Sequence, residues 1–342
     1  MATMDIFKNN AFSMTSLTAA LERRPYQPGR LGQLGLFVDK PVRTETIAVE
    51  KKEGRLSLIQ SSERGAPIEQ GASTKRDIRD FRTIRIAKGD TVYASEIQNI
   101  RQFGSETELM QVQSEVASRF TDLQSDMQLT HEYHRLGAIQ GLVLDADGTT
   151  VINDWFDEFG ITQAAEIDFD LDNASPASGA VRKKCAQVVR QMAKAAKGSW
   201  VEGRTRVHAL CGDAFWDDLI THPEVEKTYL NYAAASGLRD GIAYESFTYG
   251  GITFENYRGT DDGSTVAVGA DKCRFFPVGA KDMFQRALSP GESMEFVNTL
   301  GKAEYGMLIP DRDRNMWVKP ELYSYPLYMC LNPAMLQRAK RT

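Results

Sequence analysis

Most of the paired side chains from which catalytic and metal sites are built are missing. Four cysteines, Cys185, Cys211, Cys273 and Cys330, are spread over 342 residues with no CxxC, so neither a zinc knuckle nor a disulfide framework is written here. They are expected to stay reduced in a cytosol and to pack as small apolar residues. No run approaches the roughly 18 apolar residues of a membrane span, and the opening MATMDIFKNNAFSMTS lacks the basic and apolar regions of a signal peptide. A basic excess is also missing: 41 Lys and Arg against 46 Asp and Glu leave a net charge of −5, which speaks against a free nucleic-acid binder and for simple solubility. Walker loop, GxGxxG and GxSxG are absent, so nucleotide binding and serine-hydrolase chemistry have no support.

What is present is an unusual order of segments. Pro25, Pro28, Gly29, Gly32 and Gly35 break regular structure between Phe12 and Phe37, after at most a turn or two of helix at Leu17–Glu22, which predicts an extended arm. From Thr46 to Ile97 comes a polar two-stranded excursion. TIAVEKKEGRLSLI alternates around Glu53-Gly54, the tip from Ser61 to Thr74 is rich in Ser, Gly, Glu and Gln, and FRTIRIA (Phe81–Ala87) reads as the return strand. Ser105 and Glu108 then form a capping box before Leu109, Val112, Val116, Phe120, Leu123 and Met127, which recur every three or four residues. No Gly or Pro follows until Gly137, so about 30 residues at ~1.5 Å each predict a spine roughly 45 Å long. An arm and a loop that cannot bury a core alone, placed before a rigid helix, imply a chain that completes its fold against copies of itself.

Beyond Gly141 the pattern is mixed. LVLDADGTTVI reads as strand–turn–strand, and Ser175-Pro176 as the start of a helix with Val181, Cys185, Val188 and Met192 on one face and Gly198 after its end. Arg206–Cys211 reads as a strand, Phe215–Tyr232 as helical, and ITFENY and TVAVG as strands. Leu322–Leu331 reads as a long apolar strand, and Pro333–Lys340 as a closing helix. The fold class is α+β, without the regular alternation of a doubly wound sheet.

Three groups of side chains could carry chemistry. Asp145-Ala146-Asp147-Gly148-Thr149 after the strand Leu142–Leu144 resembles the nucleophile and acid/base pair of magnesium-dependent haloacid-dehalogenase phosphatases, with Gly212-Asp213 and Asp217-Asp218 as distal acids. Against that alternative, about 140 residues precede the motif, the spacing to Asp213 is short, and Thr149-Thr150 run straight into a strand, so Asp-Gly reads as an ordinary turn. His131 and His134 could share a metal, but zinc needs three or four ligands and none of the usual spacings supplies the rest. Near a helix end they are expected to meet the negative dipole, and His208 and His222 show no partner. The basic flank Lys75, Arg76, Arg79, Arg82, Arg85 and Lys88, interleaved with Ile84 and Ile86, suits a salt-bridging face on a neighbour better than a phosphate-tracking groove.

Order and spacing supply a resemblance that no single motif does. FSMTSLTAALERRPYQPGRLGQLGLF, Arg64-Gly65-Ala66-Pro67, GDAFWDDLITHPEVEKTY, YGGITFENYRG, STVAVG and SYPLYMCLNPAMLQ are similar to landmarks of the lambda-like E family of tailed-phage major capsid proteins, built on the Hong Kong 97 capsid fold. The resemblance implies an N-terminal arm (1–45), an extended loop (46–97), the spine helix with a peripheral domain (98–172), an axial domain (173–320), and a C-terminal strand and helix returning to the body (321–342). It implies a structural, non-enzymatic subunit that self-assembles into hexamers and pentamers of an icosahedral head around double-stranded DNA. Arg79, Arg82, Ile84, Arg85, Ile86 and Lys88 are the candidate intersubunit contacts. No cofactor, catalytic residue or membrane is expected. The expected partners are further copies of the chain, a scaffolding protein (separate, since no charged helical leader precedes the arm), a portal, in some heads a decoration protein, and packaged DNA contacted without sequence specificity. The expected location is the virion, assembled in the host cytoplasm.

Overall fold

The computed structural model describes residues 29–52, 76–99, 108–173, 175–230, 246–260 and 266–342. The expected turn at Glu53-Gly54, the loop tip, the cap at Ser105 and the arm before Gly29 lie outside the described residues. The first described element is one helical turn, α1 (Arg30–Gln33), where glycines were expected to prevent any regular structure. β1 (Val38–Pro41) follows it. β2 (Thr46–Lys52) and β3 (Arg76–Arg82) pair antiparallel from Thr46↔Arg82 to Lys52↔Arg76, forming the root of a hairpin. Along β2 burial alternates: Ile47 and Val49 pack against the body while Thr46, Ala48 and Glu50 are exposed, as a half-covered strand requires. Phe81 anchors β3, with its ring 5.3 Å from Trp155 and 6.1 Å from Phe159.

The return strand is not continuous. Its first residues belong to β3, and its last to β4 (Ile86–Gly89), which pairs with a different sheet. Between them the amide of Thr83 donates to the carbonyl of Glu45 and that of Ile84 to the carbonyl of Pro326, so the backbone changes partner within a few residues. β5 (Val92–Tyr93) and α2 (Ala94–Asn99) then lead to the spine, α3 (Glu108–Gln140). Its 33 residues span about 50 Å. Val116, Phe120, Leu123 and Met127 are buried against Leu322, with Ile86 and Leu308 alongside, and Leu136, Ala138 and Ile139 enter the main core. Between these apolar stretches the buried residues are polar: His131, Glu132, His134 and Arg135. Gly141 ends the helix at φ +85°, and a Cβ there would lie 2.2 Å from Cε2 of Phe156, so conformation and packing both require glycine.

β6 (Leu142–Leu144) and β7 (Val151–Asp154) form a small hairpin, and Asp154 caps α4 (Trp155–Glu158) by accepting from the amides of Phe156 and Asp157. After β8 (Ile167–Asp168) comes α5 (Ala180–Ala195), which begins four residues later than Ser175-Pro176 suggested. Gly179, at φ +79°, turns the chain in without a side-chain cap of its own. A distant residue supplies the cap: the Glu224 carboxylate accepts from the amides of Val181 and Arg182, at 3.0 and 3.2 Å, and from the Tyr249 hydroxyl at 2.7 Å. The apolar face of α5 is as expected, with Val181, Cys185, Val188 and Met192 all buried.

β9 (Arg206–Cys211), α6 (Asp213–Thr221) and α7 (Pro223–Leu230) follow, the helical stretch being broken where His222 is extended before Pro223. With β10 (Ser246–Tyr249), β11 (Ile252–Asn256), β12 (Lys272–Val278) and the last strand, β17 (Gln337–Lys340), they form a second core around a six-stranded sheet ordered β10-β11-β9-β12-β17-β8. Val266–Gly269, expected within a strand, carry none; the carbonyl of Val266 receives Thr260 instead. β13 (Phe284–Leu288) joins β1 in parallel and β16 (Pro326–Cys330) antiparallel, while β14 (Tyr305–Pro310), β15 (Trp317–Ser324) and β4 form another sheet, with β5 also on β15. The expected strand Leu322–Leu331 is thus split at Tyr325 between two sheets. The expected closing helix is a 3-10 turn at Pro333–Met335 and then a strand, β17 (Gln337–Lys340). β17 is drawn into the ladder because it satisfies the backbone of β12 on one side and β8 on the other, burying Gln337 and Ala339.

Because Glu224 caps a helix it does not belong to, Glu224→Ala is expected to strand two backbone donors and the Tyr249 hydroxyl. A loss of about 1–3 kcal/mol in urea unfolding is expected. Burial acts to raise the Glu224 pKa, but the bonds from Tyr249, Arg182 and Val181 hold it below the ordinary range. The stabilisation is therefore present above the ordinary carboxylate pKa and is lost as pH falls through the lowered one.

Candidate assembly surfaces and the buried clamp behind them

The arm is fixed by charge. The amides of Leu31 and Gly32 at the start of α1 donate to the Glu132 carboxylate at 2.6 and 3.2 Å, and that carboxylate also accepts from Arg135 at 3.2 Å and the Tyr257 hydroxyl at 3.3 Å. Gly29 passes so close that a Cβ would lie 2.3 Å from Cδ of Glu132. Arg30 forks onto Glu255, its Nη2 2.8 Å from Oε2, and the same oxygen meets Nε2 of His208 at 3.1 Å. Burial alone would raise the Glu255 pKa, and the bonds from His208 and Arg30 more than reverse it. His208 therefore has the partner that the sequence did not show. Further along, Arg286 of β13 forks onto Asp39 of β1 with both bonds at 2.7 Å. Glu132 and Glu255 thus tie α1 to α3 and to the strands β9 and β11, and the Asp39–Arg286 pair separately ties β1 to β13.

His131 and His134 do not sit at the helix dipole, because α3 runs more than a turn beyond them to Gln140. Both rings are buried, none of their four nitrogens has a hydrogen-bond partner, and both face Tyr328, at 5.9 and 6.2 Å. The Arg135 guanidinium lies 5.6 Å over the same ring. Burial pushes His131 well below its usual pKa and His134 down to about 4. No group of three or more metal-binding side chains assembles among the described residues. His222 accepts the Glu224 amide through Nδ1 at 3.2 Å, as part of the turn between α6 and α7.

The Asp145–Thr150 segment is a turn whose acids are already engaged. Asp145 accepts from the amide of Ala146 at 2.7 Å. Asp147 accepts from the amides of Thr149 and Thr150 at 2.9 and 2.8 Å and from the Thr150 hydroxyl at 2.6 Å. The Thr150 hydroxyl, followed by these amides, holds Asp147 far below the ordinary carboxylate range. Such a group has no proton to give at neutral pH, so it is unsuited to the acid role that a phosphatase would need. Asp147 borders an open groove of about 710 Å³ beside the spine, with Leu129, Tyr133 and Leu142 on its walls.

The candidate contact residues lie in one stretch but not on one surface. Arg79 reaches Glu158 at 3.9 Å, Arg82 reaches Glu45 at 3.0 Å, Arg85 reaches Glu292 at 2.9 Å, and Lys88 pairs with Asp126 of the spine. Each is an intramolecular pair at the surface, yet the arginine side chains remain 41, 77 and 53% exposed, respectively, so all three still face solvent. Ile84 and Ile86 are half-buried, and Ile86 packs on the spine cluster beside Leu322. Sequence reasoning missed Glu132 and Glu255 as structural centres. The available signal was a carboxylate interrupting an apolar helix stripe.

A projecting two-stranded root, a long spine beside it and a separate six-stranded core define the Hong Kong 97 type of capsid architecture. The putative capsid protein of an Escherichia coli CFT073 prophage superposes with a TM-score of 0.57 at 12% identity, covering 96% of this chain and 99% of that one. The mature capsid of bacteriophage PhiM1 gives 0.52 at 12% identity over 90% and 85% of the two chains. In sequence the chain is 25% identical to the major capsid protein of Salmonella phage Felix O1 over 96% of each, and 27% identical to that of Pseudomonas phage KPP10 over 86% and 88%. The chain belongs to the phage major capsid protein E family, whose model matches residues 13–341. Its function is that of a major capsid protein of the phage virion, and the comparisons give no support to the phosphohydrolase alternative.

Two outcomes follow from this chemistry. His134 stays neutral when folded and gains a proton when unfolded, so stability is complete above about pH 6.5 and is lost as pH falls towards 4. His134→Phe is expected to flatten that acid limb by up to about 3 kcal/mol in denaturant titrations between pH 7 and 4. Asp145→Asn is expected to leave assembly nearly intact, and wild-type protein with magnesium to leave an aryl phosphate unhydrolysed. Turnover that the substitution abolishes would restore the phosphatase reading.

Proposed function

We propose that the chain is a non-enzymatic subunit that associates into hexamers and pentamers of a closed icosahedral shell around double-stranded DNA. In this reading residues 1–45 serve as the arm, 46–97 as the extended loop, 98–172 as the spine and peripheral domain, 173–320 as the axial domain and 321–342 as the returning segment. The observation that carries it is the β2–β3 ribbon. Two strands are marginal by themselves, and Ile78 on this ribbon is 63% exposed, so the element gains its cover from another subunit. The groove beside the spine, with exposed Leu129 and Leu142, offers such a neighbour a seat. Curvature and genome entry call for partners beyond the subunit, namely a scaffolding protein and a portal, with a decoration protein in some heads. DNA contact is non-specific.

Sedimentation and negative-stain microscopy of the protein, alone and coexpressed with a scaffold, are expected to show closed particles; small oligomers under every condition would end the proposal. Within it, Arg79, Arg82 and Arg85 act as rim charges that set register and encounter rate with an acidic surface on the adjacent subunit. Replacing all three with Glu is expected to leave the circular dichroism of the monomer unchanged while slowing assembly in low salt, the difference shrinking as salt screens it. Normal kinetics with poor genome retention would assign these residues to DNA instead.

A further inference from the structure

We propose that the loop between β13 and β14 is a docking surface for a second copy of this chain, in which Met294 of one subunit seats in an aromatic hollow at the foot of the same loop in another. The inference rests on the shell reading and names one of its contacts. Met294 is 92% exposed, the most exposed large apolar side chain among the described residues, and Val297 and Leu300 on the same loop are 56 and 52% exposed. The loop is nevertheless held in place. Phe296 is buried beneath it with its ring 4.7 Å from Tyr305, which in turn lies 5.9 Å from Tyr325. The Tyr305 hydroxyl accepts the amide of Lys302 at 2.7 Å and donates to the carbonyl of Ser289 at 3.2 Å. A pinned loop that displays three apolar side chains to water is the mark of a contact site rather than of a floppy connection.

The same region contains the socket. Phe296, Tyr305, Met307, Tyr323 and Tyr325 line an open hollow of about 170 Å³, a size comparable to a cavity that admits one benzene molecule. An unbranched thioether fits such a space and gains sulfur–aromatic contacts there. Met294 lies between Ser293 and Phe296, which both line the hollow, so knob and socket belong to one surface and can be exchanged between copies.

Charge decides the occupant. Arg85 lies 5.2 Å over the Tyr323 ring at the edge of the hollow and is 53% exposed although it pairs with Glu292. Glu295, next to Met294 and exposed, has no ion-pair partner among the described residues. A second copy therefore brings an acid beside its methionine to an arginine beside the socket. A nucleic-acid strand would meet Glu292 and Glu295 and be repelled, and a lipid surface would find too small an apolar area.

Pairwise association is read by analytical ultracentrifugation at high protein concentration, and shell formation by microscopy, for wild type and variants whose monomers unfold alike in urea. Met294→Glu is expected to weaken association about tenfold or more and Met294→Leu to preserve most of it. Glu295→Arg is expected to weaken it and Glu295→Arg with Arg85→Glu to restore it. Association that is unchanged by Met294→Glu, or a charge-swapped pair no better than the single variant, overturns the proposal even if shells form. Wild type that associates through Met294 yet never closes a particle overturns the shell reading and leaves this contact standing.

Discussion

A single buried carboxylate, that of Glu132, fixes how the parts of this molecule meet. Removing a charge from water costs several kcal/mol unless hydrogen bonds replace the hydration, and here four donors do so: two amides of α1, Arg135 and Tyr257. Two of those donors belong to the arm. The arm is therefore not an appendage laid over a finished core, because its departure would leave a charge in the middle of the spine half-solvated. Glu255 repeats the device one layer away with Arg30 and His208. Gly29 is the steric counterpart, letting the backbone come close enough for the amides to reach.

Around this polar centre the spine is apolar on both sides. Its first half packs on Leu322 and Ile86, its last turns on the main core, and the second core sits apart on the six-stranded sheet. The division separates two demands. The interior carries two carboxylates, Glu132 and Glu255, whose several donors specify one arrangement. The periphery carries half-exposed arginines, a two-stranded ribbon and a loop of bare apolar side chains, all of which a neighbouring subunit can complete without disturbing the interior.

Much of this was legible in the sequence where periodicity is local. The stripe from Val116 to Met127, the face of α5 and the Asp-Gly turn follow from spacing alone. The failures have a common physical origin in partners far along the chain. Ser175-Pro176 has the chemistry of a helix start, but Glu224, 43 residues from Val181, supplies the cap at a later point. Phe81–Ala87 alternates like one strand, yet Pro326 and Glu45 take its middle amides and split it. Gln337–Lys340 has nothing against helix in its composition, and the ladder between β12 and β8 decides for strand. At the assembly surface the basic flank was visible, whereas its pairing with Glu158, Glu45, Glu292 and Asp126, and the hollow beneath Met294, exist only in three dimensions.

The split at Tyr325 has a consequence for timing. β15, β16 and β17 are contiguous, yet each enters a different sheet, and each binds strands that come earlier in the chain. Gly89 has no ladder partner until Glu321 is made, nor Phe284 until Cys330, nor Cys273 its second neighbour until Ala339. Translation at roughly 5–20 residues per second therefore holds the nascent subunit open for on the order of tens of seconds. Three sheets begun far apart in the chain are thus each completed by one of three neighbouring late strands.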